Sequence, residues 1–166
     1  MKIDGPEHYF RAGTERMRQA WVLYREEGGE SFSLAMYAAG VAVECMLRAF
    51  KMLHDPTFDE KHDLLKLFKA SRMFSIDPDR LRAKGVSDHE ADEHFLRTQR
   101  AVSEVYVLWS NDYRYASEDR LRVWLKLNRL DRGVRGDFLK ERARQLLSAS
   151  QVLLDRGVVQ WNWLKK

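Results

Sequence analysis

Three separated stretches hold the residues whose types and spacing could do chemistry. In the first, Glu44 and Arg48 interrupt an apolar run from Ser31 to Leu53. A carboxylate in such a run is costly to bury unless a partner compensates it. Arg48 follows four residues on, one helical turn along the same face. The second stretch is Lys61-His62-Asp63-Leu64-Leu65, and the third is Asn111-Asp112-Tyr113-Arg114-Tyr115. Two readings of Glu44 stay open: an internal ion pair with Arg48 that sets helix register, or a carboxylate that orients Arg114 or His62 in a shared polar pocket. Tyr113, Arg114 and Tyr115 suit a nucleotide or RNA, with rings that stack on bases and a guanidinium that grips phosphate. The alternative is that the tyrosines pack and Arg114 pairs with Glu44 or Asp112. The candidate binding set is therefore Glu44, Arg48, His62, Tyr113, Arg114 and Tyr115.

No catalytic residue, cofactor or metal is assigned. His54, His62 and Asp63 lack tight ligand spacing, and His89 with His94 do not share a helix face well. There is no glycine-rich phosphate loop, serine elbow or paired-cysteine pattern. The single cysteine, Cys45, has apolar flanks, which favours burial over reactivity and excludes an internal disulfide.

The elements that must position these residues read as helices. Pro6 with Asp4 before it opens one, carrying Phe10, Met17, Trp21 and Tyr24 at helical spacing and ending at Gly28-Gly29. Arg11, Arg18 and Arg25 recur every seven residues on another face. A second helix starts at Glu30 or Ser31, with Phe32, Met36, Ala39, Val43, Met46, Leu47 and Phe50 as its apolar face. It stops at His54-Asp55-Pro56. Gly40 keeps its backbone thin enough for another helix to approach. A short third helix follows Asp59 or Lys61, with Leu64, Leu65, Leu67 and Phe68 apolar. Ser75 to Pro78 is a turn, and Pro78 opens a short helix ending at Gly85. Ser87 with Glu90 forms a capping box for a long helix bearing Phe95, Val102, Val105, Tyr106 and Trp109. Ser117 and Asp119 cap a shorter one with Leu121, Val123, Trp124, Leu125 and Leu127. Residues 131–136 form a loop. A last helix runs from Asp137 to Asp155, ends at Gly157, and leaves an apolar tail of Val158, Val159, Trp161 and Trp163 that docks on the body or on a second copy. No strand or hairpin pattern competes. The expected fold is one all-α domain, an up-and-down bundle of four to five main helices with short accessory ones.

The charge balance narrows the partners. The chain of 166 residues carries a net charge of +4, with 13 bases against 6 acids in residues 114–166. That third could face RNA or an acidic protein, although no dense arginine block occurs. Glu44, Arg48 and Lys51 argue against a membrane span for the apolar run. No apolar stretch behind a basic start opens the sequence, so a cytoplasmic location and no membrane partner are expected.

Ala39-Gly-Val-Ala-Val-Glu-Cys-Met-Leu-Arg-Ala-Phe50, then His62-Asp63-Leu64, then Tyr113-Arg114-Tyr115-Ala116 before a final helix, together resemble the HEPN domain (higher eukaryotes and prokaryotes nucleotide-binding) over residues 8–157. Arg48 stands for the family's usual lysine and Ala116 for its usual proline. The resemblance implies a helical bundle, often a symmetric homodimer, that binds nucleotide or RNA or a partner such as a small nucleotidyltransferase in toxin–antitoxin pairs. Many members are metal-independent RNases that place an arginine and a histidine, four to six residues between them, on the last long helix. Here no histidine follows His94. Arg82 and His89 have the spacing but fall in a glycine-containing connection. The leading expectation is a non-catalytic HEPN-like module. One alternative is a displaced RNase site, with Arg114 and His62 brought together. Another is a purely structural dimer sealed by Trp161 and Trp163.

Overall fold

The computed structural model describes residues 5–26, 31–55, 63–73, 82–83 and 85–164. Asp4, Gly28-Gly29, Asp59, Lys61, His62 and the expected turn at 75–78 lie outside the described residues. Within them the chain is all-helical. Four long helices form a bundle: α1 (Pro6–Arg25), α2 (Phe32–His54), α4 (Asp88–Leu108) and α6 (Phe138–Leu164). Two short ones accompany them, α3 (Leu64–Ser71) and α5 (Glu118–Leu127), and a 3-10 turn (Asn111–Tyr115) joins α4 to α5.

Local chemistry sets most of the boundaries. Pro6 at the first position of α1 has no N–H to leave unsatisfied. The Ser87–Glu90 capping box starts α4, and Ser117 starts α5 by accepting from the Arg120 N–H. Helix α3 begins later than the sequence suggests, because Asp63 caps it by accepting from the Lys66 N–H at 3.0 Å. Helix α2 is capped from a distance: the Glu118 carboxylate accepts from the Ser33 N–H at 2.7 Å, while the Ser31 hydroxyl bonds to Glu26.

Contacts along the chain give the directions. Tyr24 meets Phe32, and Gly13 lies against Ala42 and Met46, so α1 and α2 run antiparallel. Phe10 stacks on Trp161 and Trp21 donates to Gln151, so α1 and α6 are antiparallel too. Helix α2 is central, touching α1, α3, α6 and the 3-10 turn, while α4 lies on α6. It is long and apolar enough to cross a membrane by length and composition, and most of it is buried against these neighbours.

Two expectations need correction, at Gly157 and at Gly40. Gly157 does not end the last helix. Helix α6 continues to Leu164, and the glycine is there because Met46 occupies the space: an added Cβ would lie 2.6 Å from its sulfur. This continuation docks Trp161 on the body of the chain, one of the two places open to the tail. Trp161 is buried in its own chain, its ring 4.6 Å from Phe10 in a stack and 5.5 Å from Phe50 edge-on. Among the apolar residues of α4, Phe95 and Tyr106 lie outside the core. They are eleven residues apart and so share one stripe, about 110° around the helix from the buried stripe of Thr98, Ala101, Val105 and Leu108. Gly40 does admit a close neighbour, but that neighbour is the side chain of Trp109 rather than another helix.

Candidate functional site

The 3-10 turn is held by one aromatic contact on each side. Upstream, the Trp109 indole lies flat on the bare backbone of Gly40 and its Nε1–H donates to the Tyr37 carbonyl at 3.3 Å. This pins the end of α4 to the middle of α2. Ser110 then accepts from the Asp112 N–H at 3.2 Å and tightens the turn. Downstream, Tyr113 turns inward. Its hydroxyl donates to the Leu108 carbonyl at 2.9 Å, and its ring meets Trp124 edge-on at 5.8 Å. Burial pushes the Tyr113 phenol far above its ordinary pKa, so it stays a neutral donor.

With Tyr113 inside, the turn projects its next two residues outward. Tyr115 is 75% exposed, and the Arg114 guanidinium lies 4.4 Å from its ring centroid. Beside them is a cleft of about 430 Å³, lined by Ser110, Asp112, Tyr113, Tyr115, Arg120 and Trp124. The cleft combines ring surfaces, a hydroxyl, a carboxylate and a guanidinium. Such a lining can stack a planar base and ion-pair with phosphate. Arg120, Lys126, Arg129, Arg132 and Arg135 extend the positive surface along α5 and the following loop, all exposed. Arg122 is spent internally, in a two-pronged pair with Asp137 at 2.8 and 2.9 Å.

The remaining candidates are placed elsewhere. Glu44 is 6% exposed and accepts from the Arg48 Nε–H at 2.9 Å. Arg114 is exposed on its turn, and no hydrogen bond or ion pair joins it to Glu44. The structure thus brings Glu44 to Arg48, and Arg114 to Tyr115, as two separate pairs. His62 lies outside the described residues. Burial, and secondarily the Glu44 charge, push the Cys45 thiol up to about 11, so it is no nucleophile at neutral pH. Arg82, one of the two residues with RNase-like spacing, pairs with Asp88 at 3.1 Å on the surface. Among the described residues no group of three His, Cys, Asp or Glu side chains could hold a metal ion.

No family model, curated protein or solved structure matches the chain. Two cleft residues, Arg120 and Trp124, escape the motif-based reading. Their signal was present in the Ser117 cap: it fixes the register of α5, and Arg120 and Trp124, four apart, then fall on one face with Leu121 beside them.

Proposed function

We propose that this chain is a non-catalytic HEPN-like module that binds a nucleotide or RNA through the Arg114–Tyr115 turn and dimerises through α4. The observation that carries the ligand half is an almost fully exposed tyrosine under a guanidinium, at the mouth of a cleft with aromatic walls. The Tyr115 ring is free of the core, and the Arg114 cation has no acidic partner among the described residues, so both are open to a ligand. The exposed bases along 120–135 supply longer-range attraction for a polyanion.

The test is titration of ATP and of a short single-stranded oligoribonucleotide by calorimetry. Replacing Tyr115 by alanine removes a stacking surface worth about 1–3 kcal/mol, so affinity falls roughly tenfold or more. Arg114→Ala lowers it further and flattens its salt dependence. Both residues are exposed, so the fold survives either change. Unchanged isotherms for both variants remove the turn as a ligand site.

The dimer half rests on the outward stripe of α4. Phe95, Leu96, Tyr106 and Val107 are each about half exposed. The stripe is self-complementary under an antiparallel two-fold: residues 95 and 96 face 107 and 106, and Arg100 of each copy falls beside Glu104 of the other. Tyr106→Glu should give monomers on a sizing column with unchanged circular dichroism. A wild-type chain that runs as a monomer at micromolar concentration ends this reading.

A further inference from the structure

A second group of basic residues lies where α4 passes α6, about 20 Å along α4 from the Tyr115 cleft at 1.5 Å per residue. His94 and Arg97 come from α4, one turn apart, and Arg156 comes from α6. They line a cleft of about 190 Å³ together with Thr98, Val152 and Asp155. Arg156 is half-buried, and no acid pairs with it among the described residues. Burial holds its guanidinium below the ordinary range. Its guanidinium lies 5.9 Å from the Trp163 ring centroid. Asp155 is adjacent in sequence but points about 100° around the helix, and its carboxylate already accepts from Gln151 Nε2 at 2.7 Å.

A half-desolvated guanidinium gains most from an anion that brings several oxygens in one plane of approach. The cleft holds the volume of about six waters. That admits a tetrahedral oxyanion, and any base or sugar attached to it would sit outside the cleft. Two guanidinium forks and an imidazole at the rim against one occupied carboxylate fix the sign of the ligand.

We propose that the cleft between α4 and α6 binds a phosphoryl group, held by Arg156 and Arg97 with His94 at its rim. The group is either inorganic phosphate or a phosphodiester of a nucleic-acid strand. The proposal does not rest on the Arg114–Tyr115 site.

The experiment uses the full chain carrying Arg114→Ala and Tyr115→Ala together, which removes both the guanidinium and the stacking ring of the first site. Inorganic phosphate, and separately a hexaadenylate with a free 5′-hydroxyl, are titrated at constant ionic strength. Saturable binding of either probe is expected, weakened at least tenfold by Arg97→Gln and as much by Arg156→Gln. Arg97 is exposed, so its variant keeps the fold and decides the matter should the Arg156 variant fail to fold. Dependence on Arg97 for phosphate alone assigns a free-phosphate site, and for hexaadenylate assigns a backbone site. If Arg97→Gln binds both probes as the parent does, the proposal is overturned.

Discussion

Gly40 links the fold to the candidate site, and replacing it with alanine tests that link. In an open helix interior, Gly→Ala stabilises by about 1 kcal/mol, because alanine loses less backbone entropy on folding. Position 40 is not open. The new methyl would fall on the Cδ1, Nε1 and Cε2 atoms of the Trp109 indole, a rigid ring with its own hydrogen bond to Tyr37. Overpacking of this kind costs about 1–3 kcal/mol, and losing the indole bond costs about 1 kcal/mol more. The net expectation is a loss of about 2 kcal/mol, measured by urea denaturation followed with circular dichroism. The same change should behave oppositely once the ring is gone. In a Trp109→Ala background, Gly40→Ala should stabilise by about 1 kcal/mol, giving a coupling of about 3 kcal/mol across the cycle. Because Trp109 anchors the 3-10 turn, Gly40→Ala should also weaken nucleotide binding. If it stabilises the otherwise unchanged chain by about 1 kcal/mol, the close packing of Trp109 on α2 is wrong, and with it the account of how the cleft is held.

Two further outcomes follow from named contacts. Trp161→Ala removes a buried ring in contact with Phe10 and Phe50 and should cost about 3–5 kcal/mol in denaturation. The sizing-column position of the folded fraction should not change; a shift to monomers without loss of stability would return Trp161 to an interface. Asp137 accepts from the backbone N–H groups of Leu139 and Lys140 and pairs with Arg122, and that pair, chiefly, holds its carboxyl below the ordinary value. Its side chain is 39% exposed, so Asp137→Ala should cost only about 1 kcal/mol at neutral pH. A depressed folded pKa means the contribution is complete above about pH 3.9 and is lost as pH falls through the lower folded value. The stability gap between the two proteins should therefore close under acid; a gap that is the same at pH 7 and pH 2 would contradict the pairing.

The helices were legible because their signals are local. The Ser87–Glu90 box, the Ser117 cap and the stop after His54 depend on residues three or four apart, and they set the observed boundaries. Gly157 misled for the converse reason. A glycine near an apparent helix end reads as a terminator, yet this one answers to Met46, more than a hundred residues away. The capping of α2 by Glu118 is equally remote and left no mark near Ser33. On α4 the apolar residues make two stripes. Only the position of α6 decides that the stripe with Val105 is inside and the one with Phe95 is outside.

The site divides along the same line. Glu44 drew notice as an isolated carboxylate among apolar neighbours, but Arg48, one turn on, already supplies a partner, so its rarity requires no pocket. Nothing in the order Tyr-Arg-Tyr says which ring goes inside. That choice is made by the Leu108 carbonyl and the Trp124 edge, which claim Tyr113 and so expel Arg114 and Tyr115. The expelled pair is then its own competitor, since Arg114 covers one face of the Tyr115 ring. An exposed cation–π contact is worth about 0.5–1 kcal/mol, whereas a base stacked on an aromatic side chain gains about 1–3 kcal/mol. A base can therefore displace the guanidinium from the ring at a net gain, and the freed guanidinium is left beside the phosphate that the base brings with it.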